Sequence, residues 1–309
     1  MEIDVWSGDW GLPSVEYNSL QLITLVKFSG AQAQINKTNN PFRTPDGNLP
    51  LFKHNKQRIS KFQDVLAYLN EKNHCPDLNL NPVQLAESKA YRTMLEEKLL
   101  PALRYIWWVD SKNYTELTRP WYAKALPFPL NFYYPNRYRQ DNERILRSLN
   151  PDREEEEYQS EVYIEAEKCL TCLSNRLGES NFFFGDYPSS LDAAVYGCLA
   201  PLLKAPFPSN VLQNHVKAST NLVKFIVRIS QRYFPQDLSE YDTKRQKDTE
   251  KNSKKADLFP NKTRNQILAG LFALVAMLTY GISNGIFSIS ISSVDSETVN
   301  EYDDEELDE

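Results

Sequence analysis

Asp46-Gly47-Asn48-Leu49-Pro50-Leu51-Phe52 reads as a turn that opens into a strand through a proline. Asp-Gly is a strong turn dipeptide, and proline is tolerated at a strand entrance, where it need not donate to the ladder. Toward the N-terminus, Ala33 to Thr38 fits a short strand that Asn39-Asn40-Pro41 breaks. Before it, Leu20, Ile23, Leu25, Val26 and Phe28 predict a helix, with Pro13 or Ser14 suited to its start and Ser29-Gly30 to its end. Ile3-Asp4-Val5-Trp6 alternates as a first strand. Toward the C-terminus, Ile59 fits a last strand, and Ser60 is the expected N-cap of a helix carrying Phe62, Val65, Leu66 and Leu69.

The order β-α-β-turn-Pro-β-β-α is a thioredoxin-like layout, assigned to residues 1–75, and a cis bond is expected before Pro50. From Pro82 the pattern is helical, which makes 76–236 an all-helical domain. Leu95, Leu99, Leu100, Leu103 and Ile106 keep helical spacing up to Trp107-Trp108. Glu154-Glu155-Glu156-Glu157 opens a long helix, since acidic residues favour a helix N-terminus. Ser189-Ser190-Leu191-Asp192 is a capping box in its S-x-x-D form, in front of an apolar helix through Leu199. Residues 237–265 are charged and poor in apolar side chains, and are expected to be a flexible tether.

No charge interrupts the chain between Arg264 and Asp295. A helix needs about 20 mainly apolar residues to cross a bilayer, so 266–291 is expected to be a transmembrane tail anchor. Lys254, Lys255, Lys262 and Arg264 precede it, and an acidic tail, 292–309, follows. Basic residues stay on the cytoplasmic side, so the body is expected in the cytosol and the tail across the membrane. Gly281 and Gly285 lie four apart, which suits close helix packing in the bilayer, and the Asn284 amide needs a partner there.

The net charge of −6 gives no electrostatic reason to bind nucleic acid. Cys169-Leu170-Thr171-Cys172 has no second C-x-x-C or histidine pair beside it, and His54, His74 and His215 are scattered. No metal site and no cofactor is expected.

A thioredoxin-like half followed by a helical half resembles the glutathione-transferase fold, in which such a capping box opens the buried helix of the second domain. More specific are Trp10-Gly11-Leu12-Pro13-Ser14-Val15, Leu95-Glu96-Glu97-Lys98-Leu99-Leu100-Pro101, Asp110-Ser111-Lys112-Asn113-Tyr114, Pro127-Phe128-Pro129-Leu130-Asn131-Phe132 and Phe182-Phe183-Phe184-Gly185-Asp186. These segments resemble the metaxin family. The resemblance implies a place on the mitochondrial outer membrane, in the sorting and assembly machinery that inserts β-barrel precursors. It further implies a metaxin-2-like partner, a β-barrel assembly subunit, bridging to the inner-membrane cristae-organising complex, and a link to kinesin adaptors in mitochondrial transport.

An enzyme of the transferase type needs a Tyr, Ser or Cys in the first strand-helix loop to favour a thiolate. Leu12 stands just before the loop proline, and only Ser7 and Ser14 are nearby. The acid-serine pair that would grip glutathione falls at Lys61-Phe62. The expectation is a protein without catalytic activity; the alternatives are a tail-anchored glutathione-transferase-like enzyme and a transport adaptor. Trp107, Trp108, Trp121, Tyr122, Phe128 and Phe132 form an aromatic-rich insert. It is a candidate partner surface, or else the filling of the seam between the two domains.

Overall fold

The structure, a computed structural model, describes residues 1–149, 155–257 and 262–283. The chain divides after Gln246 into two compact units. In the first, β1 (Glu2–Val5) pairs in parallel with β2 (Gln34–Lys37) and antiparallel with β3 (Leu51–His54), and β4 (Gln57–Ile59) extends β3. The sheet order is β2-β1-β3-β4, with α1 (Tyr17–Phe28) as the crossover and α2 (Phe62–Glu71) after the last strand. Strand alternation buries Ile3 and Val5 in the core. Asp4, on the other face, pairs with Lys53 and accepts from Asn36 at 3.2 Å. The Leu49–Pro50 bond is cis, as expected.

Two helix starts differ from the sequence reading. The N-cap of α1 is Glu16, whose carboxylate accepts from the backbone of Asn18 at 3.0 Å and Ser19 at 2.7 Å. Ser14 cannot serve because it is buried in the loop, its Oγ accepting from the Glu16 amide at 3.4 Å. The N-cap of α2 is Lys61, which makes no side-chain cap bond, while Ser60 donates to Asp46 at 3.0 Å instead.

The helical part starts with α3 (Pro82–Met94), which runs through a π turn at Leu95–Leu99 into α4 (Leu100–Arg104) and a second at Tyr105–Val109. A short α5 (Ser111–Asn113) leads by another, Tyr114–Thr118, into α6 (Arg119–Ala125). Two of these turns precede Pro101 and Pro120 closely. A proline ring excludes the normal helical bond, and the wider turn accommodates it without breaking the helix. Then follow α7 (Leu130–Leu149), α8 (Glu155–Leu177), α9 (Ser190–Lys204), α10 (Val211–Ala218) and α11 (Thr220–Tyr233). Helix α9 is buried from Ser190 to Leu202, the mark of a central core helix.

The two parts join where α1 crosses α9. A Cβ at Gly197 would lie 2.2 Å from Gln21 Cγ and 2.7 Å from its backbone nitrogen, so only glycine allows this approach. Gln21 Nε2 donates to the Ala194 carbonyl at 3.1 Å across the same crossing.

The charged segment read as a flexible tether from 237 is helical: α12 runs from Pro235 to Asp257. Its start is held to the sheet part by Lys37–Asp237 at 3.1 Å and Lys244–Asp9 at 3.8 Å. Leu238 Cδ2 lies 3.1 Å from where Gly11, at φ +74°, would carry a Cβ. Glu240, Lys244 and Asp248 recur four apart. Such spacing supports a solvated helix that offers no apolar face for sequence periodicity to reveal.

In the second unit α13 (Lys262–Ser283) is helical. Among the described residues no helix is long and apolar enough to cross a membrane. The first turn of α13 is Lys262-Thr263-Arg264-Asn265, leaving 16 residues from Ile267 to Ile282 for its apolar part. Gly281 lies in this helix; Asn284, Gly285 and the rest of the expected span and acidic tail lie outside the described residues.

Candidate functional site

Two cavities, of about 480 and 290 Å³, lie between the sheet part and the helices and share Tyr17, Asn18, Asn48, Leu49 and Arg104. This is where a thioredoxin-like half presents its first strand-helix loop and its cis-proline to the helical half. The loop is chemically quiet. Leu12 is buried, and Ser14 is fully buried. The N-terminus of α1, the natural place to favour an anion, is already filled by the Glu16 carboxylate. Burial pushes the Glu16 carboxyl up, while the bonds from Ser19 and Asn18 pull it down. The nearby phenols move away from acidity: burial pushes Tyr17 up to about 12 and Tyr122 well above its usual range. At α2, where a glutathione-binding pair would sit, Lys61 and Phe62 open the helix with no side-chain cap.

The aromatic insert divides in two. Trp107, Trp108 and Tyr122 are buried and fill the seam. Trp6 meets Tyr122 edge-on at 4.9 Å, Trp108 lies 5.0 Å from Tyr122, and Trp107 meets Phe207 at 4.9 Å. Trp121 is half-buried and donates from Nε1 to Asp9 at 3.2 Å. These four are therefore not a free surface. Phe128 and Phe132 are, at 81% and 70% exposed, with their rings perpendicular at 6.1 Å and the Phe128–Pro129 bond cis.

The Ser189–Asp192 capping box is buried. Asp192 accepts from the Ser189 amide at 2.8 Å, the Ser189 hydroxyl at 2.6 Å and the Phe183 amide at 3.0 Å. It thus fastens the Phe182–Phe184 loop to the start of α9. Burial pushes its carboxyl up to about 6, against the pull of those donors.

Sequence reasoning missed Glu16, Arg92 and Arg104 as cleft residues. Arg92 had a signal: it stands in the row Ser88, Arg92, Leu95, Leu99, whose other members are buried, an unusual place for a guanidinium. Cys169 and Cys198 are buried thiols pushed up to about 12 by burial, and Cys172 is exposed; all the cysteines are free. Among the described residues no group of His, Cys, Asp and Glu could hold a metal.

Comparison with known proteins agrees with this architecture. Residues 19–139 match the family described as outer mitochondrial membrane transport complex protein, and residues 166–229 match the glutathione S-transferase C-terminal domain. The chain is 43% identical to metaxin-1 of Mus musculus over 95% of its own length and 93% of that protein's. It is 41% identical to metaxin-3 of Danio rerio over 76% of each. Among solved structures, the β-etherase LigF of a Sphingobium strain superposes with a TM-score of 0.51 at 14% identity, covering 79% of this chain and 100% of that one. That likeness shows the glutathione-transferase-like fold alone. By its identity to these relatives along most of its length, the chain belongs to the metaxin family.

Proposed function

We propose that this protein is a non-enzymatic subunit of an outer mitochondrial membrane transport complex. The observation that carries the reading is the match of residues 19–139 to the family of that description. The finer reading is a subunit of the sorting and assembly machinery, beside a metaxin-2-like partner and the β-barrel subunit, aiding the insertion of β-barrel precursors. It also takes in bridging to the cristae-organising complex. The absence of catalysis is supported by the Glu16 carboxylate in the anion position of α1, by phenols pushed away from acidity, and by the uncapped Lys61 start of α2. Attachment to the outer membrane with the body in the cytosol is supported by the charge-free run from Arg264 to Asp295 and the basic residues before it.

Phe128 and Phe132 are the proposed anchor for the β-barrel subunit. Exposed aromatic pairs supply large contact area, and a few such residues dominate interface energies. The full-length double variant Phe128→Ala/Phe132→Ala should lower recovery of that subunit from mild-detergent extracts by about tenfold. Its melting temperature should stay within about 1 °C of wild type, because both rings are already in solvent. Unchanged recovery would contradict the assignment.

A further inference from the structure

Helix α11 carries no acid, in a chain whose net charge is −6. Leu222, Phe225, Ile226 and Ile229 are buried and fix the side of the helix that faces the core. The outward side holds Lys224, Arg228 and Arg232. Residues four apart share one side of a helix, so these cations form a row with steps of about 6 Å along the axis. Lys224 and Arg232 are exposed, and Arg232 lies over the Tyr233 ring at 5.5 Å. Arg228 is half-buried, its Nη1 donating to the Asn181 carbonyl at 2.7 Å. Among the described residues none of the three is ion-paired. The acid on the adjoining loop, Asp186, accepts from Asn181 Nδ2 at 3.2 Å.

Val223 and Val227 run beside this row, Val227 being 39% exposed, and with Gln231 they complete a shallow groove lined by α11 alone. Like charges four apart on a helix repel, so the row gains from an anionic partner. Each Lys or Arg is attracted to an anionic bilayer, and guanidinium forks match phosphate oxygens. Small aliphatic side chains between the cations can meet the headgroup boundary. They form no deep pocket for a protein anchor residue to fill, which favours a broad charged surface over an acidic peptide. The charge-free run between Arg264 and Asp295 supplies such a surface, because it attaches the chain to a bilayer in the reading proposed above.

We propose that the outward face of α11 docks the folded body on the anionic phospholipid surface of the membrane to which the chain is attached. Lys224, Arg228 and Arg232 supply the attraction to the headgroup phosphates, and Val223 and Val227 meet the headgroup boundary between them. The inference rests on the membrane attachment, and it stands whether or not the transport-complex reading holds.

The test uses the full chain reconstituted into vesicles of phosphatidylcholine, or of an equal mixture of phosphatidylcholine and phosphatidylserine. An environment-sensitive fluorophore is placed on Gln231→Cys, an exposed position in the groove. Cys172→Ser accompanies it, because Cys172 is the exposed thiol and the other three are buried. Flotation with the neutral vesicles reports the attachment alone. In the mixed vesicles the label is expected to shift to the blue and to lose access to an aqueous quencher. Both changes should vanish in about 1 M salt, where the Debye length is about 3 Å. Lys224→Glu/Arg232→Glu, at two exposed positions, should lower the docked fraction by about tenfold or more while the protein floats as before. A label response that is the same in neutral and mixed vesicles, or that survives the charge reversal, would overturn the proposal. So would a response that appears only when mitochondrial extract is added, which would assign the face to an acidic protein. Failure to float with neutral vesicles would contradict the attachment, whereas floating without a response to the anionic lipid would contradict the docking alone.

Discussion

Asp192→Ala should lower the stability of the folded body by about 3–5 kcal/mol, read from urea unfolding. The change removes one carboxylate that three buried donors share: the Ser189 amide and hydroxyl and the Phe183 amide. Both amides would then be buried without acceptors, at the start of the helix that forms the centre of the core. Asp192→Asn should cost less, about 2 kcal/mol, because one carbonyl oxygen remains for one of the two amides. The pH dependence adds a sign. The Asp192 carboxyl rises from 3.8 to about 6 in the folded state, so the folded protein holds this proton more tightly than the unfolded chain. Its contribution is therefore fully present below about pH 4 and fades as pH rises through 6. Glu16, also raised by burial, adds in the same direction. Wild-type stability measured from pH 4 to 7 should show this decline, and Asp192→Asn should flatten it. An unchanged slope in the variant would show that the decline arises elsewhere.

Gly197→Ala should destabilise by about 2–4 kcal/mol, although alanine in an exposed helix would stabilise by about 1 kcal/mol over glycine. The reversal comes from the α1–α9 crossing. The added Cβ would meet Gln21 Cγ at 2.2 Å, its backbone nitrogen at 2.7 Å and its Cα at 2.9 Å. Two of those atoms are main chain or Cα and cannot swing aside. Trimming the neighbour, as in Gln21→Ala/Gly197→Ala, should therefore fail to restore the lost stability. Recovery to wild type would mean that the contact is only with the movable side chain. This crossing holds the thioredoxin-like and helical parts together. Loosening it should broaden the unfolding transition, which chemical denaturation followed by tryptophan fluorescence would detect.

The strand-helix order was legible because each signal was local: alternation in Ile3 to Trp6, the Asp46-Gly47 turn, and the proline at Leu49-Pro50. The helix starts were not, because a cap is decided by which side chain remains free. Ser14 and Ser60 have the right chemistry, but one is buried in the loop and the other bonds Asp46. Glu16 took the first position with a carboxylate long enough to reach two amides. The aromatic insert could not be divided from sequence, since Trp107 and Phe128 are equally apolar and only the tertiary seam separates them. Helix α12 escaped because its stability comes from charge spacing and a few contacts at its start, not from an apolar stripe. Arg92 was visible only as an oddity in a buried row. That its Nη1 lacks a hydrogen-bond partner while Nε donates to the Ser88 carbonyl is a three-dimensional fact.

We propose a transferase-like body that serves as a complex subunit and not as an enzyme. Native mass spectrometry of the tagged full-length protein, released from mitochondrial outer membranes in mild detergent, tests it most directly. The expected result is a defined assembly that contains this chain, a second metaxin and a β-barrel subunit, with no glutathione-conjugating activity in the same preparation. A solitary chain that conjugates glutathione would contradict it.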